Sequence, residues 1–323
     1  MTGSAHILVT GGAGFIGSHL VERLLRGNHR VTVVDDLSTG SLKNLSASLH
    51  NPQLTFIEST VSGCARLPGL AASAEFIYHL AASVGVDLVV NSPIHTIRNN
   101  LHETEVLLEA ADQAHTPVLL ASTSEVYGKS QKLAFAETDD LLIDPPYLGR
   151  WGYACSKLMD EFMGLAYARE RQLPVVIARL FNTVGPRQTG RYGMVLPRFI
   201  QAARGGLPLR VFDDGLQTRC FCLVLDTVEA LIRLKDCPAA RGEVFNIGST
   251  EEISILDLAR KVIETLGSSS PIEHISYDQA YAPGFEDMRR RKPVIDKLVN
   301  VTGFCPRTPL LEIIRLTAES TNG

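Results

Sequence analysis

An α/β fold, a doubly wound parallel sheet carrying a smaller α/β lobe, is predicted by three observations. Short apolar strands alternate with amphipathic helical segments from residue 6 to residue 180. A glycine-rich turn, with Gly11, Gly14 and Gly17 spaced by three, follows the apolar run Ile7-Leu8-Val9 directly. At 323 residues, the chain is too long for one small core and long enough for a large domain with an added lobe.

The first strand covers 6–10. A tight turn needs a residue without a Cβ, and so does close approach of backbone N–H groups to a phosphate. The helix after the turn, over 15–27, opens with Phe15 and Ile16 and repeats Leu20, Leu24 and Leu25. Its N-terminus would face a pyrophosphate. A second strand over 30–35 ends in Asp35-Asp36, about 20 residues beyond the glycines, where an acid holds an adenosine ribose. Strand, glycine turn, helix and acid together predict a Rossmann-like site for a dinucleotide, against the bland alternative of an ordinary βα turn. The acid, with no arginine directly after the strand, selects NAD over NADP.

The polar loop Asp36-Leu37-Ser38-Thr39-Gly40 follows, and a third strand is weakly marked near 54–57. The fourth, over 75–80, ends at Leu80 and runs into Ala81-Ala82-Ser83. Such small residues let a flat cofactor lie against backbone at a strand C-terminus, though plain helix packing would also explain them. A long helix is expected over 93–114 and a fifth strand over 117–122, leading into Thr123-Ser124-Glu125-Val126-Tyr127-Gly128. Residues 129–152 lack a period, and loops of that length are often functional. A helix then carries Tyr153, Lys157, Phe162 and Leu165, before a sixth strand over 174–180.

Beyond Asn182 the pattern loosens around Gly185-Pro186, Gly190, Gly193 and Pro197. A helix over 196–204, a strand over 209–212 and the segments beyond 250 predict the smaller lobe. The expected division is 1–180 with 219–247 as the NAD-binding domain, and 181–218 with 248–323 as the substrate lobe.

Lys and Arg number 31 against 35 Asp and Glu, a net charge of −4, which argues for neither nucleic acid nor membrane as partner. The one concentrated basic run is Arg289-Arg290-Arg291-Lys292. Six cysteines lack paired spacing, so no zinc site is expected and reduced thiols in the cytoplasm are the simplest reading. The nine histidines show no metal spacing either. The N-terminal apolar run is too short for a signal peptide, and no run of about 20 apolar residues suggests a membrane span.

Tyr153 and Lys157, at i and i+4, project from one helix face. An ammonium beside a phenol stabilises the phenolate, which can take a proton from a sugar hydroxyl while NAD accepts the hydride. Taken alone, such a pair is also common on solvated helices.

The motifs Gly11-Gly-Ala-Gly-Phe-Ile-Gly17, Asp35-Asp36, His79-Leu-Ala-Ala82, Tyr153-x-x-x-Lys157 and Arg179-Leu-Phe-Asn-Thr-Val-Gly-Pro186 occur in one order over essentially the whole chain. In this the sequence resembles the extended short-chain dehydrogenase/reductases, in their nucleotide-sugar epimerase/dehydratase/decarboxylase group. The resemblance implies that Thr123 hydrogen-bonds the substrate 4-hydroxyl, that Tyr153 is the base, and that Lys157 also holds the nicotinamide ribose. It places Asn99 near the cofactor and assigns Asn182, Arg191 and Arg219 to the nucleoside diphosphate, with Val195 and Arg289 on the substrate side. It further implies a homodimer through the helices near 93–114 and 153–171. Family members usually carry an acid just after the third strand. Here Ser59-Thr60-Val61 stands there, so the adenine contact through Thr60 and Val61 would be made differently.

Two further features resemble the UDP-glucuronate decarboxylases (UDP-xylose synthases). Dehydratases have an Asp where Ser124 stands, and simple epimerases of neutral sugars usually lack Glu125. The stretch Gly284-Phe-Glu-Asp-Met-Arg-Arg-Arg291-Lys-Pro293, with Arg150-Trp151-Gly-Tyr153, resembles the decarboxylases, in which the arginine matching Arg291 acts near the C6 carboxylate. Oxidising C4 of a glucuronate makes a β-keto acid, which loses CO₂ once its enolate is stabilised. A carboxyl or a water held by Glu125 could supply the proton to C5, and Ser124 could bind the departing carboxylate. The expected activity is therefore NAD-dependent decarboxylation of UDP-glucuronate to UDP-xylose or to the 4-keto-pentose. A UDP-sugar 4-epimerase, acting on UDP-glucuronate or UDP-glucose, is the alternative, because Val84-Gly85-Val86 looks epimerase-like. A non-catalytic NAD-binding protein is the remote one.

Overall fold

The computed structural model describes residues 4–84, 92–149, 151–189, 194–276 and 288–320. Six strands arise as the chain alternates: β1 (His6–Thr10), β2 (Arg30–Asp35), β3 (Leu54–Glu58), β4 (Phe76–His79), β5 (Val118–Thr123) and β6 (Val175–Leu180). The chain then leaves through the short strands β7 (Thr183–Val184), β8 (Leu209–Phe212), β9 (Thr218–Cys220) and β10 (Cys222–Leu223), and returns as β11 (Glu243–Ile247). The sheet order is β3-β2-β1-β4-β5-β6-β11, every neighbour parallel. The order reverses between β1 and β4, where Ile7 lies opposite both Val31 and Phe76. Open parallel sheets bind ligands at such a switch point.

Both faces of β1 are covered, which is why its sequence reads as an unbroken apolar run. Ile7 and Val9 point to one face, packed with Leu20, Leu24, Val228 and Leu231 of α1 (Phe15–Arg26) and α6 (Val224–Lys235). Leu8 points to the other, packed with Leu70, Ala71, Leu107 and Leu108 of α2 (Leu67–Ser73) and α3 (Pro93–Ala114), beside which α4 (Trp151–Arg171) lies. The predicted doubly wound architecture is what forms. Helix α2 was not expected, since Leu-Pro-Gly-Leu-Ala-Ala-Ser offers only two turns and no clear period.

The smaller lobe has its own core, in which Leu196 and Ile200 of α5 (Val195–Arg204), Leu258 and Val262 of α7 (Ile255–Leu266), and Ile313 and Ile314 of α9 (Leu310–Ser320) meet. In it β8 pairs with β13 (Ile272–Ile275), and β9 with β12 (Glu252–Ser254). One segment departs from the expected division. In α8 (Asp296–Thr302), Leu298 is fully buried, and with Val301 and Phe304 it packs into the core of the sheet domain, although 248–323 was assigned to the lobe. A helix this short has too few apolar residues to reveal its partner in sequence. Among the described residues no helix is long and apolar enough to cross a membrane.

Candidate active site

A cavity of about 780 Å³ opens over the C-terminal ends of β1, β4 and β5 and runs to the lobe, within the roughly 300–1,000 Å³ usual for cofactor and substrate sites. The glycine turn forms one end. Gly11 has φ +73°, the left-handed region, and a Cβ there would stand 2.6 Å from the Ala81 nitrogen. A Cβ on Gly17 would run into the Gly11 carbonyl oxygen and stand 2.8 Å from the Gly12 Cα. Helix α1 starts after Gly14 with no side-chain cap and no acid in its first turn, so its N–H groups face the cavity unpaired by side chains. This cradle fits the pyrophosphate of a dinucleotide. Phe15, Ile16, Leu80, Ala81 and Ala82 line it as well.

The ribose end is more elaborate than the sequence suggests. Asp35 lines the cavity, yet its carboxylate also accepts from Ala13 N and Leu37 N, each at 2.9 Å, so it braces the glycine turn. Burial pushes its carboxyl up, against these two bonds. Asp36, Ser38 and Thr39 line the cavity, with Asp36 accepting from Ser38 N at 3.0 Å. Gly40 does not line it and packs beneath the turn, where a Cβ would stand 3.0 Å from Asp35 Oδ1 and from the Ala13 carbonyl carbon. Thr60 and Val61 form the far wall with Asn99. Sequence reading missed Glu103, which lies one helical turn beyond Asn99 on α3. It is buried, lines the cavity, and accepts from Ser62 N at 2.9 Å and Ser62 Oγ at 2.5 Å. The carboxylate absent from the stretch after β3 is thus supplied from α3.

At the middle of the cavity Thr123, Ser124, Glu125, Tyr153, Lys157 and Arg291 share one wall. The Thr123 hydroxyl accepts from Glu125 N at 3.2 Å and lies near enough to the Tyr153 phenol to favour its ionisation. Arg291 arrives from 166 residues away to donate to Glu125 Oε1 at 3.0 Å and to Asn182 Oδ1 at 3.3 Å. A bridge between Phe135 and Pro293 holds it there, with Phe135 N bonded to Lys292 O at 2.8 Å. Ser124 Oγ is buried without a hydrogen-bond partner among the described residues, an acceptor and donor left for a ligand.

The charge around Tyr153 differs from the one its spacing from Lys157 predicts. Lys157 donates to Asp160 Oδ2 at 2.7 Å, so its charge is balanced by a neighbour that sequence reading did not single out. The phenol is held well above its ordinary range, by burial first, then by the Glu125 and Asp160 carboxylates, with Arg291 pulling the other way. Lowering by Lys157 alone is not what this site does.

The wall under Thr123 is held by a buried charge network. Arg179 donates to both Glu161 oxygens, at 2.7 Å in the shorter bond, and to the Tyr127 hydroxyl at 2.9 Å. Glu161 accepts from Ser122 at 2.5 Å, and Tyr127 donates to Asn246 at 2.7 Å. The Glu161 position, four residues beyond Lys157 on the same helix face, was a readable clue.

Toward the lobe, Asn182, Val195 and Arg219 line the cavity, as do Phe212 and Gln217, which sequence reading missed. Arg219 donates to the Thr218 and Met288 carbonyls at 2.8 Å. Arg289 is not brought to the cavity. Its side chain is 71 % exposed and pairs with Asp214 at 2.9 Å, because the chain turns it away from Arg291. Arg191, Gly85, Val86, Arg150 and 284–287 lie outside the described residues.

Residues 7–248 match the model of the NAD dependent epimerase/dehydratase family. The chain is 41 % identical over 300 residues to the UDP-N-acetyl-alpha-D-glucosaminuronate decarboxylase of Bacillus cytotoxicus, covering 93 % of this chain and 92 % of that protein. It is 35 % identical to UDP-glucuronic acid decarboxylase 3 of Arabidopsis thaliana, over 97 % of this chain and 88 % of the relative. The UDP-glucuronic acid 4-epimerase of Bacillus cereus, solved with UDP-glucuronic acid and NAD, superposes with a TM-score of 0.87 at 28 % identity, over 98 % of each chain.

Proposed function

This chain belongs to the NAD dependent epimerase/dehydratase family, and from that premise we propose that it decarboxylates UDP-glucuronate through a C4-keto intermediate. The observation that carries the reading is the Glu125–Arg291 pair, closed at 3.0 Å on the same cavity wall as Thr123, Tyr153 and Lys157. An oxidation site alone has no use for it. A carboxylated sugar does, because Arg291 gives its carboxylate a cation with a planar donor fork.

NAD, when bound, accepts the hydride from C4 and can return it. The chain's residues do the rest. Tyr153 takes the 4-hydroxyl proton as its phenolate, with Thr123 hydrogen-bonding the same oxygen. Burial, Glu125 and Asp160 oppose that form, while Arg291, and the positive charge of NAD when bound, would favour it. The C5–C6 bond then breaks, CO₂ leaves, and the electron pair moves into the C4 enolate, which the two hydroxyls stabilise. C5 takes its proton from a water held by Glu125, or from the Glu125 carboxyl once it has been protonated on release from Arg291 to the substrate. Ser124, its hydroxyl unpartnered, faces the leaving carboxylate. Asn182 and Arg219 hold the nucleoside diphosphate. The product is UDP-xylose, or the UDP-4-keto-pentose where reduction does not follow.

The 4-epimerase reading is favoured by the Bacillus cereus superposition, and the Bacillus cytotoxicus relative raises a 2-acetamido uronate as the substrate in place of glucuronate. Product analysis by mass spectrometry separates them. Incubation with NAD and UDP-glucuronate, or its 2-acetamido analogue, is expected to release CO₂ from UDP-glucuronate. Interconversion of 4-epimers without CO₂ from either sugar overturns the decarboxylase reading. We further propose a cytoplasmic homodimer. The exposed side chains of Ile94 on α3 and Met159 and Phe162 on α4, together with six free cysteines, support it.

A further inference from the structure

Asp160 has no part in the steps above, yet it is one of the most enclosed charges in the molecule. Its side chain is 2 % exposed, and its partner, the Lys157 ammonium 2.7 Å away, is 3 % exposed. The spacing of three on α4 puts both on one face. Behind them the Thr104 hydroxyl of α3 meets His79 Nε2 at 3.1 Å, and His79 Nδ1 meets the Thr10 hydroxyl at 2.8 Å, while Asp160 Oδ1 is buried without a hydrogen-bond partner among the described residues. Burial costs a carboxylate its hydration, and only a well-placed cation offsets that. Desolvation pushes the Asp160 carboxyl up, Lys157 and Thr104 oppose it, and Glu161 adds a like charge.

The charges that face the Tyr153 phenol come from three elements. Asp160 lies on the phenol's own helix, with Lys157 as its ion-pair partner there, Glu125 on the turn after β5, and Arg291 on the segment bridged to Phe135. Two cations thus face two anions, in two pairs. His79 behind them is kept neutral by burial and by Lys157.

We propose that Asp160 is a positioning residue of the proton-transfer pair: it fixes the Lys157 ammonium and cancels that charge toward both Tyr153 and the nicotinamide end of the cofactor. This rests on the reading of Tyr153 as base and of Lys157 as its cofactor-facing neighbour. Without Asp160 an uncompensated ammonium would face an oxidised, cationic nicotinamide and a phenol. The first would bind less well and the second would ionise more readily.

The test compares Asp160→Asn, Asp160→Glu and wild type in two measurements. Calorimetric titration gives the Kd values of NAD and NADH, and the pH profile of kcat/KM gives the acid limb. Asp160→Asn is expected to weaken NAD about tenfold relative to NADH and to move the acid limb down by about one pH unit. Asp160→Glu, which keeps the charge, is expected to restore both. Should Asp160→Asn not fold, Lys157→Met and Lys157→Met/Asp160→Asn read the same coupling through the NAD-to-NADH ratio. The lone carboxylate is then expected to favour NAD, and the double variant to lose that preference. An unchanged ratio and an unmoved acid limb in Asp160→Asn, or equal ratios in the two lysine variants, overturn the proposal. The affinity ratio does not depend on the role of Tyr153. Full activity in Tyr153→Phe would therefore overturn the base assignment separately.

Discussion

Single side chains divide the work of the site between two reactions. Under the proposed function Thr123, Tyr153 and Lys157 serve the loss of hydride and proton from C4, while the Glu125–Arg291 pair serves the carboxylate. Glu125→Gln keeps the shape of the side chain and removes its capacity to carry a proton. It is expected to lower CO₂ release on the order of 10²–10⁴-fold while leaving the NAD Kd within a few-fold. A variant that releases CO₂ at the wild-type rate would exclude Glu125 as the acid at C5. Arg291→Lys keeps a charge but loses the fork that spans Glu125 and Asn182. It is expected to raise KM for UDP-glucuronate more than it lowers kcat, and a KM equal to wild type would count against a carboxylate-binding role. Glu125 and Arg291 were both singled out in sequence, but their contact was not, because nothing local joins positions 166 residues apart.

Elements act here through their ends. The turn from β1 to α1 works because backbone occupies the space where side chains would be, which is why Gly17 sits against the Gly11 carbonyl and the Gly12 Cα. Gly17→Ala is expected to cost about 1–3 kcal/mol in a denaturation experiment, as overpacking does. It should also abolish NAD binding in titration, since the turn must open to admit the Cβ. A stable variant with wild-type affinity would mean that the cradle is not formed by this approach. Strands β1 to β6 and the long helices were legible because each buries a continuous run or a regular face. Helix α2 was not, since its Pro and Gly mask two turns. The anchoring of the loop after β3 by Glu103 was also hidden, because it is a contact between elements rather than a property of either.

Beside its buried ion pairs the molecule encloses a neutral histidine, and its acid stability should show it. His79, enclosed between Thr10 and Thr104, is pushed down to about 3, by burial first and then by Lys157. The unfolded chain binds a proton there near pH 6.5, so between about 6.5 and 3 the unfolded state holds more protons than the folded one. Stability therefore rises with pH through that window, by up to about 1.4 kcal/mol per unit for this residue, and is flat above it. Urea unfolding of wild type and His79→Gln at pH 7 and pH 5 is expected to show a smaller acid loss in the variant. Equal losses would place the acid sensitivity elsewhere, as in His6 or His19, whose imidazoles are also held down by burial.

Local sequence determined the doubly wound sheet, the glycine cradle, the acid after β2 and the Tyr153/Lys157 face. Each is written in the spacing of a few neighbouring residues and in periods that a strand or helix must obey. Tertiary structure alone decided that Arg291 meets Glu125, that Arg289 turns out to Asp214, that α8 joins the sheet domain, and that Lys157 is buried in a pair with Asp160. Those outcomes depend on which segments the fold brings together and on how burial weighs one charge against another. Neither is a property of any short stretch of chain.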